Sequence, residues 1–442
     1  MKKLLLGALL IGSAAARSQP IVNSWIMNAN GKKASYYATN GAMPPSYTFT
    51  NTTDSADALK VCYNADTVWV YSHNMTDNMG KWTNPGNPVA QNYVHRFPRS
   101  PVIPASKVIS PKVGEIGLLL NGIVIYGLGD AYSWSGTANV QGPQGAGIWN
   151  REVGMGEGVS LDTAFGAHPQ AQGIYHSHIK PYRLFENVAT SQHSPIVGWA
   201  FDGYPIYGPY GYSSPMNAGS AVARMKSGYS LRNITTRTTF SAIPGGGGTA
   251  SQTGPAVNSM YPIGTYCEDY EWLSSNGGDL DQYNGRMCVT PEFPNGTYAY
   301  FVTVDAAGKG QFPYYIGINY YGQPDTRNFP AGPGGNTLTM PAGLSSCRLP
   351  TGSGVGVANV RGANSVLSIF PNPAPGGRFT IRGNGHSFNY VTVVNTQGQK
   401  VYAASLSGQD DHTIQLLVAG VYLVRCENAV TGIASVQRVV VD

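Results

Sequence analysis

The chain has 442 residues, of which only 12% are charged, with 28 Lys and Arg against 23 Asp and Glu and a formal net charge of +5. So weak and scattered a positive balance excludes a nucleic-acid footprint, and past the opening segment no apolar run is long enough to cross a bilayer. Gly (56), Pro (30) and Tyr (28) are abundant, which disfavours helix and suits short strands joined by turns, so the expected chain is mostly β with two or three cores.

The first residues, MKKLLLGALLIGSAAARSQP, place two lysines before an apolar run from Leu4 to Ala16 that finishes in three alanines. This is the pattern of a secretory signal peptide over 1–16, cleaved near Ala16. Losing Lys2 and Lys3 leaves 26 basic against 23 acidic residues, 26 − 23 = +3. An exported chain meets oxidising conditions, where five cysteines allow two disulfides and one spare thiol. Cys267 and Cys288 bracket a polar, loop-like stretch and form the favoured pair; Cys62 with Cys347 is the second choice, leaving Cys426.

Residues 17–110 contain DTVWVYSHNM and YVHRFPRSPVIP, which alternate apolar and polar residues before turning Pro-rich. They are expected to form a β-rich part of the main region. The stretch 111–350 holds a repeat. LNGIVIYG (Leu120 to Gly127) returns as FDGYPIYGP (Phe201 to Pro209), and LDTAFGAHPQAQGIYHSH (Leu161 to His178) returns as LDQYNGRMCVTPEFPNGTYAYF (Leu280 to Phe301). Two similarities in the same order predict a duplicated β unit within one fold.

The densest chemistry lies in the first copy, where four of the eight histidines fall between His168 and His193. On a strand, residues i and i+2 share a face, so His176 and His178 present neighbouring imidazoles, a geometry suited to copper or zinc. His168, after a Gly-Ala turn, and His193, before a Ser-Pro bend, are the further candidate ligands. Asp162, Asp202 and Tyr175 are candidates to orient an imidazole from behind; Asp202 equally suits an Asx turn into Gly203. The competing reading is a strand whose histidines only hydrogen-bond to tyrosines and backbone. His73, His95, His386 and His412 stand alone and read as surface or packing residues.

Familiar catalytic signatures are absent: no Gly-x-Ser-x-Gly, no His-Glu-x-x-His, no Walker loop and no dinucleotide fingerprint between strand and helix. The Gly-rich 243–250 (IPGGGGTA) reads as a loop. The acidic piece CEDYEWLSSNGGDLDQYNG (Cys267 to Gly285) offers oxygen donors for calcium but misses the EF-hand spacing, and reads as a solvated loop pinned by the favoured disulfide.

LLLNGIVIYG, GAHPQAQGIYHSH, HSPIVGWAFDGYPIYGPYG and NGTYAYF resemble the YHYH family of exported proteins, named for a Tyr-His-Tyr-His strand. Ser177 stands at the third letter, and the second copy, Tyr298-Ala299-Tyr300-Phe301, has no histidine. Any metal chemistry that the resemblance implies rests on the first copy.

Residues 351–365 are rich in Gly and small side chains and read as a linker. From 366 to 442, short alternating strands between turn residues predict a small Ig-like β-sandwich. Phe370-Pro371-Asn372-Pro373, Asn395 to Gln399 and Ala419-Gly420-Val421-Tyr422 resemble the type IX secretion C-terminal sorting domain of Bacteroidetes-type bacteria. That resemblance implies the type IX machinery as a partner, and a product secreted or kept at the cell surface. Two functions remain open from the residues: an exported copper or zinc protein with a His-x-His site, or a surface module in which tyrosines and tryptophans grip a glycan or other extracellular ligand.

Overall fold

Short runs of β-branched and aromatic residues, cut by Gly and Pro, give strands of three to nine residues, with one-turn α-helices at Pro20–Asn23 and Val153–Gly156. The computed structural model describes residues 19–40, 45–84, 86–141, 149–238, 253–329, 336, 338–344, 346–350, 367–383, 388–395, 399–406, 411–428 and 434–442. The expected signal peptide (1–16), the Gly-rich 243–250, the expected linker (351–365) and His386 lie outside them.

The chain divides into two units, Met1–Ser353 and Gly354–Asp442. In the first, the strands that matter are β1 (Ala58–Tyr63), β2 (Thr67–Ser72), β3 (Tyr93–Pro98), β4 (Glu115–Leu119), β5 (Val124–Tyr126), β6 (Ala167–Pro169), β7 (Tyr175–Ser177), β8 (Ile196–Ala200), β9 (Pro205–Tyr207), β10 (Gly285–Cys288), β11 (Thr297–Phe301) and β12 (Ser346–Arg348). Four of them form a sheet in the order β12-β1-β2-β3, and eight form the central sheet, β6-β7-β5-β4-β8-β9-β11-β10.

That central order reads the same from either end once the two copies are matched: β6 with β10, β7 with β11, β5 with β9, β4 with β8. The sense of pairing matches too, since β7–β5 and β9–β11 are parallel while β4–β5 and β8–β9 are antiparallel. The duplicated sequence therefore forms a sheet with an internal pseudo-two-fold axis between β4 and β8, where Leu118 faces Trp199. The close approach there selects glycine twice. A Cβ on Gly117 would lie 2.6 Å from the Trp199 carbonyl oxygen, and one on Gly198 would lie 2.6 Å from that of Leu118.

One apolar core unites this unit from Ile21, Trp25 and Trp82 through Leu118, Val197 and Trp199 to Tyr320, so the β-rich N-terminal part packs on the same core as the repeat. The Trp199 indole donates to Ser24 Oγ (2.9 Å), tying the N-terminal turn to the axis. Burial of each such large side chain contributes about 2–3 kcal/mol.

The second unit is a sandwich. Ser368–Phe370, Arg378–Arg382 and Asp411–Gln415 form one sheet; Lys400–Ser405, Tyr390–Asn395, Gly420–Glu427 and Ala434–Val441 form the other. Phe379, Ile381 and Ile414 from the first share a core with Val391, Val393, Val424 and Val439 from the second. Because each unit has its own core, a chain ending at Ser353 is expected to melt in one cooperative transition. Loss of near-ultraviolet circular dichroism in that truncated chain would show that the first unit needs the second.

The cysteines correct the favoured pairing. Cys267 and Cys288 are free and buried; Cys62 is bonded to Cys347. Cys267 sits in a 3-10 turn with Sγ against the Leu128 carbonyl (3.5 Å), whereas Cys288 ends β10. The acidic loop is solvated only over 273–277, and its first acidic residues are interior without a bridge. Glu268 is buried and paired with Lys112, and Asp269 forms a fully buried ion pair with Arg237 at 2.7 Å. Cys62 and Cys347 instead face each other across the antiparallel β1–β12 ladder.

Candidate metal centre

β6 and β7 form an antiparallel pair in which His168 stands directly opposite His176. Opposed Cβ atoms lie about 5 Å apart, and His178, two residues along, shares the face. The ring centroids are 4.8 Å (His168–His176), 4.7 Å (His176–His178) and 5.7 Å (His168–His178) apart, and their ligating nitrogens lie within 4.8 Å of one another. All three are buried.

Each imidazole is held from outside by Nδ1. His176 Nδ1 is 2.9 Å from the Ile174 carbonyl, His178 Nδ1 2.9 Å from the Gly127 carbonyl, and His168 Nδ1 2.9 Å from Ser160 Oγ. A carbonyl only accepts, so His176 and His178 carry their proton on Nδ1 and present an Nε2 lone pair. The Nε2 of His178 is buried without a hydrogen-bond partner. Glu157 Oε2 lies 3.5 Å from Nε2 of both His168 and His178. Tyr126 stacks on His176 at 4.1 Å and meets His178 edge-on, fixing both planes.

Burial, with the neighbouring His178 and His168 adding to it, pushes the His176 pKa well below its usual value. Burial likewise pushes His178 down to about 4, against the pull of Glu157. Both are therefore neutral at pH 7 and free of proton competition for a metal. Burial alone would raise the Glu157 carboxyl, but the His168 hydrogen bond and nearby His178 and Arg151 hold it below its ordinary range.

The depressed histidines set a pH dependence. Between about pH 6.5 and 4 the unfolded chain binds protons that the folded one refuses, so stability of the metal-free protein falls as pH falls through that window. His178 alone accounts for on the order of 3 kcal/mol. In urea melts the parent should lose on the order of 3 kcal/mol relative to His178→Phe as pH drops from 7 to 4; equal pH slopes would refute the assignment.

His193 does not join the cluster, a correction to the ligand set expected from sequence. It precedes β8, which belongs to the other half of the sheet, and it packs on Tyr207 (5.0 Å) and Tyr212 (4.8 Å). Asp162 and Tyr175 hydrogen-bond each other on the opposite face of β7, and Asp162 also accepts from the Phe165 amide at 2.7 Å. They brace the β6–β7 hairpin without touching an imidazole. Asp202 serves the second copy, accepting from Tyr300 Oη (2.6 Å) and the Gly322 amide (2.9 Å). His95, read as a lone residue, is buried and paired with Glu115 at 2.8 Å. Sequence reasoning missed Glu157, Ser160 and Tyr126; only Tyr126, shared with Tyr207 in the repeat, left a signal. Many of the aromatics invoked for glycan stacking, including Tyr175, Tyr207, Tyr298, Tyr300, Tyr315 and Tyr320, are interior.

Residues 94–311 match the family model described as YHYH protein, and residues 368–442 match the secretion system C-terminal sorting domain. The chain thus carries a YHYH domain and a sorting tail that implies the type IX secretion machinery, and it is exported to the cell surface or secreted. Among the described residues, no helix is long and apolar enough to cross a membrane. No curated protein matches the chain. Among solved structures, PorZ, an essential bacterial surface component of the type-IX secretion system of Porphyromonas gingivalis, aligns at 13% identity over 91% of this chain, with a TM-score of 0.16. This chain spans 62% of that one.

Proposed function

We propose that this exported chain, with its YHYH domain and sorting tail, is a metalloprotein that holds one copper or zinc ion on Nε2 of His168, His176 and His178, with Glu157 as fourth donor. What carries the reading is the convergence of three buried imidazoles, braced from outside at Nδ1, beside a carboxylate. Two ligand bonds of about 2.1 Å at a near-tetrahedral angle place their donors about 3.5 Å apart, which is the Glu157 separation from His168 and His178. At that spacing of about 3.5 Å, nitrogens up to 4.8 Å apart must close by up to about 1.3 Å on binding.

When bound, such an ion supplies a Lewis acid, or a one-electron centre if it is copper. The chain's own groups set how it is reached. The histidine side chains are closed off, whereas the Glu157 side chain is 23% exposed, so an outside oxygen ligand approaches from the Glu157 side. Calorimetric titration of chelator-treated protein with copper and with zinc tests the reading. One ion per chain at submicromolar Kd is expected; no stoichiometric uptake of either metal would overturn it.

A further inference from the structure

The second half of the central sheet keeps the scaffold of the histidine centre and changes its lining. Arg286 stands opposite Ala299 as His168 stands opposite His176. Phe301 follows Ala299 by two residues, as His178 follows His176, and Tyr207 holds the place of Tyr126. The metal donors are gone, yet two polar atoms there have no partner: Nε of Arg286 and Nε2 of His193.

Arg286 is only 7% exposed. Its Nη2 donates to the Tyr212 carbonyl, and its guanidinium lies 5.4 Å over the Phe301 ring, but among the described residues no carboxylate forms an ion pair with it. A buried cation without a counter-charge is costly, and a guanidinium edge is shaped for an oxyanion. His193 approaches the same two neighbours, with its ring 4.8 Å from Tyr212 and 6.1 Å from Phe301. Its Nδ1 lies 2.8 Å from the Ser194 carbonyl, so Nδ1 donates and the buried Nε2 is an acceptor seeking a donor. The half-site therefore offers one cationic N–H and one lone pair.

We propose that this half-site binds a small oxyanion that also carries a hydroxyl, such as hydrogenphosphate or an α-hydroxycarboxylate. An anionic oxygen accepts from Arg286 Nε while the hydroxyl donates to His193 Nε2. The pairing explains both orphaned atoms with one ligand, and it does not depend on the metal reading, because none of its residues contacts the three histidines.

The test is calorimetry on the metal-free full chain at pH 7 with four probes: phosphate and sulfate, which differ in the hydroxyl, and glycolate and acetate, which differ likewise. Phosphate should bind about tenfold tighter than sulfate, and glycolate about tenfold tighter than acetate, the value of one hydrogen bond. Arg286→Met should lose all four probes, whereas His193→Phe should keep weak binding and lose the preference for the hydroxyl. Tighter phosphate than glycolate assigns the phosphate source, and the reverse the carboxylate. If the parent binds none of the four, or Arg286→Met binds as the parent does, the site is wrong. If Arg286→Met fails to fold, His193→Phe decides, since retention of the hydroxyl preference overturns the proposal. His176→Ala, which removes a metal donor, should leave phosphate binding unchanged.

Discussion

Replacing His176 or His178 with alanine should lower the affinity for copper and zinc by about a thousandfold, roughly 4 kcal/mol. Each substitution removes one of three nitrogens and leaves an imidazole-sized gap that water fills with a weaker donor. His168→Ala should fall in the same range, because its ring stands across the β6–β7 ladder from His176. Ser160→Ala removes the brace on His168 Nδ1 and the hydrogen bond that Ser160 Oγ donates to the Glu157 carbonyl at 2.7 Å, and a loss of about tenfold is expected. Two controls separate ligand loss from general damage. His193→Ala should bind metal as the parent does, because His193 lies against Tyr207 and Tyr212. Ser177→Ala should also keep its metal affinity while losing stability, because Ser177 Oγ bonds the Phe165 carbonyl and Tyr315 Oη (2.6 Å) on the other face of β7. Parent-like affinity in His176→Ala and His178→Ala, with melting curves showing both folded, would leave the three histidines as packing residues.

The period of a strand made the His176–His178 face legible from sequence, and the internal repeat made the duplicated sheet legible. Both are local or near-local signals. His168 was within reach for the same reason, as a hairpin of seven intervening residues brings it across the ladder. His193 is near the other histidines in sequence but not in space, because the β8 strand that begins three residues later lies across the pseudo-two-fold axis in the other half. Glu157 could not be found, because it follows a one-turn helix whose docking on the strands Asn150–Glu152 and Gly129–Trp134, themselves joined by the Arg151–Asp130 ion pair, is set by tertiary packing. The cysteines failed likewise: bracketing a loop is a local cue, but the actual partners are fixed by a register between strands 285 residues apart. The repeat also hid a divergence, since Arg286 occupies the position of His168 and nothing in a list of histidines points to an arginine.

That long-range register carries the second large expectation. β12 is a three-residue strand on the edge of the β12-β1-β2-β3 sheet, and a strand so short contributes few ladder bonds of its own. It is held by the Cys62–Cys347 bond and by Arg348, whose Nη1 donates to the Val22 carbonyl at 2.8 Å. The bond closes a loop with a sequence separation of 285, and loop-closure entropy assigns a constraint of that length on the order of 5 kcal/mol. For a unit of this size, the double replacement Cys62→Ala and Cys347→Ala should lower Tm by about 10 °C. Cys62 is fully buried beneath the sheet, so the double variant reads the effect more cleanly than added reductant. Arg348→Ala in that background should lower Tm further, because β12 then keeps only its backbone pairing. Cys267→Ala and Cys288→Ala, singly or together, should cost only the volume of a buried thiol, with no covalent constraint lost. A Tm for the Cys62/Cys347 double variant within about 1 °C of the parent would show that the first unit folds without its chain-spanning closure.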